Sequence, residues 1–235
     1  MKALKILALT FIVLVVIAAF SYERIIASVL LPQYIEWAHE TDKKGQEIGT
    51  PLNEKELLLA AEIGIKHPEK VRIVYVDEVP YPYENYVLKV FGEAVGLVGE
   101  GIINNAQVFG YSIYTRKDFE LNRPKLAHEL VHVFINDGVY GGSLQSLINS
   151  NTVFIPLWMN EGLAEYLASD WDAKSDMWVR DLAINGGEFP VIRMLDGYWA
   201  YRGGQSVWKF ITSKWGNESI AEIFYQIKSK NSVEK

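Results

Sequence analysis

At 235 residues, 49% of them hydrophobic and 13% aromatic, the chain has material for one well-packed domain and too little for two large ones. A net charge of −6 and a pI near 5.3 exclude the basic surface that a phosphate backbone demands, so no nucleic-acid partner is expected. The absence of cysteine excludes disulfides, thiol nucleophiles, cysteine-ligated zinc and lipoprotein-type lipidation, without fixing the compartment.

Residues 6–20 are apolar and uncharged, and Lys2 and Lys5 precede them. With Ala3 and Leu4 the run approaches the ~20 residues that span a bilayer. Residues 1–21 therefore read as a transmembrane anchor, with a cleaved signal peptide (cut after Ala18) as the alternative and a buried core helix as a third reading. The lysines favour a cytoplasmic N-terminus and an extracytoplasmic domain, membrane-anchored or, after cleavage, secreted. Residues 22–50 read as a juxtamembrane helix, interrupted at Pro32, followed by a polar linker over 41–51. The main domain is then 51–235.

Asn53 is a natural cap for a helix reaching Ile65, with Leu57, Leu58 and Ala61 facing inward. His67-Pro68 closes it, and His67 and His39 read as surface residues. Val71–Val76 alternates and predicts a strand. Residues 79–83 form a proline loop, and Glu84–Val95 reads as a helix. Glycines from Gly99 to Gly110 lead into a strand or hairpin at Tyr111–Thr115.

The next helix is the most informative. Asn122 caps it, Pro124 lies in its first turn, and Gly138 is expected to stop it after Asp137. Within it, residues 128–132 read His-Glu-Leu-Val-His and hold two of the four histidines in the protein. Residues four apart on a helix share a face, so His128 and His132 can grip one ion. Glu129 projects about 100° around the axis from His128, placed to take a proton from metal-bound water. The plainer alternative, two core histidines and a buried glutamate, requires costly desolvation.

A zinc site of this kind needs a third protein ligand and leaves a fourth position open. Residues 156–166 predict a second helix in which Glu161 is flanked by Trp158, Met159, Leu163 and Ala164, an environment for a buried, paired carboxylate. The intervening stretch 139–155, with an apolar segment at Leu144–Ile148, reads as an insert covering the cleft. Further helices are expected around Met177–Ala183, broken by Gly186-Gly187, and at Ser219–Lys228.

Together, Ala-His-Glu-Leu-Val-His at 127–132 and Leu-Trp-Met-Asn-Glu-Gly-Leu-Ala-Glu-Tyr at 157–166 resemble the gluzincin metallopeptidases, zinc proteases that include the thermolysin-like enzymes and the aminopeptidases related to leukotriene hydrolase. The resemblance implies an α+β, zincin-like domain with a small mixed sheet, the His-Glu-x-x-His helix and a helical C-terminal half. It implies His128, His132 and Glu161 as zinc ligands and Glu129 as general base. Glu165 matches a carboxylate that orients a zinc-bound imidazole, with a solvated surface glutamate as the alternative. Residues 106–114 match the sheet edge along which a peptide substrate pairs, or else form an ordinary strand. Tyr201, with Tyr198 second, matches a tyrosine that hydrogen-bonds the developing oxyanion, or else is a packed core residue. The implied activity is zinc-dependent hydrolysis of a peptide or protein substrate. No Gly-x-Met-Glu-Asn block is present, since residues 101–105 read Gly-Ile-Ile-Asn-Asn, and this favours endopeptidase action. Two rivals stand: a membrane-anchored interaction domain with structural zinc, and a protease confined to autoprocessing or to one target near the membrane.

Overall fold

The computed structural model describes residues 26–142, 155–186 and 190–230. The chain divides into two compact units, 1–37 with 81–102 and 38–80 with 103–235. The described residues are α+β, with eight α-helices and one four-stranded mixed sheet. None of their helices is long and apolar enough to cross a membrane. Residues 1–25, and with them the predicted anchor, lie outside the described residues, as does the Leu144–Ile148 insert.

In the first unit a π-helical turn, Ile26–Leu30, leads into helix α1, Leu31–Ile48. The latter part of α1 belongs to the second unit. Residues 41–48, expected as linker, are therefore helical. Asp42 and Gln46 turn towards the sheet, while Lys43, Lys44 and Glu47 are exposed. Ser112 Oγ donates to Asp42 Oδ1 at 2.7 Å, Gln46 Nε2 donates to Ser112 Oγ at 3.0 Å, and Tyr114 donates its hydroxyl to the Thr41 carbonyl at 2.8 Å. Gly45 sits at the closest approach, where any Cβ would collide with Ser112.

The second unit contains strands β1 (Thr50–Pro51), β2 (Arg72–Val76), β3 (Ala106–Phe109) and β4 (Ser112–Arg116), in spatial order β1-β2-β4-β3. β2 and β4 are parallel, with Ile73 beside Ile113, and the β3–β4 hairpin is antiparallel. This order revises the expected substrate edge. Only Ala106–Phe109 lies at the border, whereas Tyr111–Tyr114 leads into and forms a strand flanked on both sides.

Helix α2, Glu54–Ile63, begins at a full capping box: Asn53 Oδ1 accepts from Glu56 N, and Glu56 Oε2 accepts from Asn53 N at 2.8 Å. Leu59 and Ala60 face inward, while Leu58 and Ala61 are exposed, so the phase is shifted from that expected. An unbroken apolar run, 57–61, cannot set its own phase. Its neighbours Leu52 and Ile65 do so by packing beneath the sheet.

Helix α4, Arg123–Tyr140, is the pivot of this unit. One stripe, Leu126, Leu130 and Val133, packs into the cluster under the sheet with Val71, Ile73 and Ile113. A second, Val131 and Ile135, packs into a helical cluster with Trp158, Leu163 and Trp208. Anchored on two sides, the helix cannot rotate, and the arc carrying residues 128 and 132 has a fixed heading. It runs past the expected stop at Gly138, which faces open space, and ends at Gly141 in a left-handed conformation (φ 67°). Asp137 secures the last turn by accepting from Lys66 N and from the Tyr111 hydroxyl, both at 2.7 Å.

The helical half comprises α5 (Leu157–Ser169), α6 (Ala173–Asn185), α7 (Tyr198–Trp215) and α8 (Glu218–Lys230). α6 starts four residues earlier than expected because Asp172 caps it, accepting from Ser175 N at 2.7 Å. Gly186 follows its last turn, and Gly187 lies outside the described residues. α7 continues straight through Gly203-Gly204. A Cβ on Gly204 would strike the Trp158 carbonyl, and one on Gly162 would strike the backbone of Gly204. These glycines let the axes of α5 and α7 approach as closely as backbone permits, overriding their poor helix propensity.

Candidate metal centre

Three side chains from two helices converge. His128 Nε2 lies 3.3 Å and His132 Nε2 3.6 Å from the same oxygen, Glu161 Oε2. Each of the three residues offers a ligand atom, and all these atoms lie within 4.8 Å of one another. A tetrahedral ion with bonds of about 2.0–2.1 Å spaces its ligands about 3.4 Å apart. Two imidazole nitrogens and a carboxylate oxygen at these separations therefore fit one small divalent metal ion. The imidazole rings stand 75° apart, as expected of two side chains one helical turn apart that aim at a common point.

Both outward-facing imidazole nitrogens are held. His132 Nδ1 is 2.9 Å from Asn160 Oδ1, and His128 Nδ1 is 3.3 Å from Glu165 Oε1. With Nδ1 as the donor in each ring, Nε2 is free to ligate. Glu165 is in turn clamped by Arg202, whose Nη1 lies 2.9 Å from its other oxygen. Arg202 also donates to Gln205 Oε1 at 3.1 Å, and that oxygen accepts from the buried Ser175 hydroxyl at 2.9 Å. A continuous polar chain thus runs from His128 through α5 and α7 to α6. The backbone beside Glu161 is fixed as well, because Trp208 Nε1 donates to the Met159 carbonyl at 3.0 Å.

The electrostatics match this arrangement. Burial opposes a charge on His128, but its hydrogen bonds to Glu161 and Glu165 outweigh burial and push its pKa up to about 10. A metal ion binding here displaces that proton. Burial would raise Glu161, yet His128, His132 and the Tyr201 hydroxyl hold it below the usual carboxylate range. Glu165 is lowered against burial in the same way, by His128 and by Arg202. Glu129 behaves oppositely. Its burial prevails over the two nearby imidazoles, and its carboxyl is raised. A carboxylate lifted towards neutrality is suited to accept and return a proton.

Tyr201 joins the cluster. Its hydroxyl donates to Glu161, its ring stacks on His128 with centroids 6.3 Å apart, and burial next to Glu161 raises its pKa. Tyr198, the second choice, is exposed and packs against Trp178 instead. Glu165 is partly buried against His128, and a solvated role does not apply. Sequence reasoning missed Asn160 and Arg202. Asn160 immediately precedes Glu161, and Arg202 immediately follows Tyr201. Neither position announces whether its side chain turns inward.

Because Arg202 reaches the centre only through Glu165, its removal loosens His128 without touching a ligand. Arg202→Met is expected to weaken metal binding by about 10–100-fold, and to add little in a Glu165→Gln background. Competition with a chromophoric chelator reads both. Unchanged affinity in the single variant contradicts the linkage.

In comparisons with known proteins the chain matches no protein-family model, and no curated protein or solved structure is significantly similar to it. What supports a function is therefore the site itself.

Proposed function

We propose that the chain is a zinc-dependent peptidase with a zincin-like catalytic domain of the gluzincin kind, acting as an endopeptidase and anchored to a membrane through residues 6–20. One observation carries the reading: a His-Glu-x-x-His helix and a separate glutamate bring three donors together, and the partly buried Glu129 carboxyl lies near both imidazoles with its pKa raised. The donor set of two imidazoles and one carboxylate is one that catalytic zinc sites use. A buried Glu129 next to an open coordination position has no use in a purely structural site.

Bound zinc would polarise the scissile carbonyl and lower the pKa of a coordinated water towards about 7. Glu129 takes the proton of the attacking water and delivers it to the leaving amine. Tyr201, whose O–H donates to Glu161 in this structure, would turn that O–H from Glu161 to the negative charge that grows on the carbonyl oxygen. Asn160 and the Glu165–Arg202 pair keep the two imidazoles in register. The edge strand β3 presents backbone groups on which an extended peptide can pair.

The test is cleavage of unfolded casein by the full chain. Hydrolysis that a chelator abolishes and zinc restores is expected. A zinc-loaded protein that cleaves neither casein nor a peptide library contradicts the proposal.

A further inference from the structure

The first unit carries an apolar surface that the proposed chemistry does not use. Helix α3, Tyr86–Ala94, buries Leu88 and Gly92 and turns Tyr86, Val87 and Val90 outward, at 77%, 47% and 44% exposure. Leu97, just beyond its end, is 57% exposed. Lys89 and Glu93 lie along one margin of this stripe. Tyr86, Val87, Val90 and Leu97 thus gather exposed apolar side chains on and beside one short helix, a grouping of the kind found at interaction surfaces.

Chain connectivity identifies the partner. The described part of the unit starts at Ile26, and only residues 21–25 separate it from the apolar run 6–20. Five intervening residues extend over about 20 Å at most. The start of α3 is tied to this entry point. Asn85, its cap, donates Nδ2 to Gln33 Oε1 at 2.8 Å, and Gln33 Nε2 donates to the Val29 carbonyl at 2.8 Å. Val29 is itself exposed. If residues 6–20 occupy a bilayer, α3 is confined to its neighbourhood, with tyrosines at Tyr83 and Tyr86 of the type enriched at membrane–water interfaces.

We infer that α3 is a membrane-interface helix, lying in the headgroup layer with Tyr86, Val87, Val90 and Leu97 facing the acyl chains. The inference rests on the proposed membrane attachment through residues 6–20. The stripe holds no cluster of basic residues, so apolar insertion and not attraction to anionic lipid drives the contact. A uncharged lipid surface is sufficient.

The lack of native cysteine makes a direct test clean. Val90→Cys and Leu97→Cys, both at exposed positions, are labelled with an environment-sensitive fluorophore in the full chain. Lys174→Cys, exposed on α6, serves as reference. The proteins are reconstituted into phosphatidylcholine vesicles with and without lipid-borne quenchers. Blue-shifted emission at positions 90 and 97, lost when the quenchers are present, with aqueous and unquenched emission at 174, is the expected result. Flotation of the same vesicles tests the attachment separately. A chain that floats but whose labels at 90 and 97 escape the lipid quenchers overturns the inference alone, whether those labels sit in water or against a second copy. A chain that does not float overturns the attachment and the inference together.

Discussion

Glu129→Gln retains the metal and loses peptide hydrolysis by about 10²–10⁴-fold. The glutamine is nearly isosteric, and Glu129 is not among the three ligands, so metal affinity stays close to that of the parent. On the proposed reading, what disappears is the proton acceptor. Burial raises the Glu129 carboxyl in spite of two adjacent imidazoles, a direction that suits a group proposed to take a proton from water. A carboxamide in the same place cannot take that proton. The check is kcat/KM and zinc content on one preparation. Full zinc with parental turnover contradicts the assigned role, and loss of zinc along with turnover places Glu129 among the ligands instead.

Glu161→Ala produces the largest loss of metal affinity, exceeding the roughly 10–100-fold that follows removal of an outer partner. Both imidazole Nε2 atoms address one oxygen of this residue, so it supplies the only carboxylate among the three donors. Without it the ion keeps two ligands from one helix and nothing from α5. The variant also takes a charge partner from His128, whose raised pKa depends in part on Glu161. Its proton therefore leaves more readily, an effect that favours metal and works against the predicted loss, so the observed fall is a lower bound on what the ligand contributes. Chelator competition at fixed pH reads the change, and an affinity equal to the parent's excludes Glu161 from the coordination sphere.

Much of the site is legible in the sequence because it is local. His128, Glu129 and His132 are fixed relative to one another by helical period alone, and Asn122 and Pro124 mark where that helix starts. Glu161 is legible through its apolar neighbours, although only the fold brings it 3.3 Å from His128. What escaped depends on tertiary contacts. Arg202 is an arginine on an amphipathic helix until α5 presents Glu165 to it. Residues 41–48 have a linker's composition, yet they form a helix because Asp42 and Gln46 find Ser112 across a gap that only Gly45 leaves open. The Gly203-Gly204 pair shows nothing locally of its part in the contact between α5 and α7, where Gly204 meets Trp158 and Gly162. Loss of the edge role for Tyr111–Tyr114 follows from the crossover that brings β2 beside β4, a pairing between distant strands that no local pattern encodes.

The central claim is that one metal ion is held by His128, His132 and Glu161 with a position left for water. X-ray absorption at the zinc edge, on full-length protein loaded with one equivalent of zinc, tests it most directly. Four light ligands at about 2.0–2.2 Å, with multiple scattering from two imidazoles, are predicted. Zinc that does not remain bound, or that shows no imidazole scattering, contradicts the account.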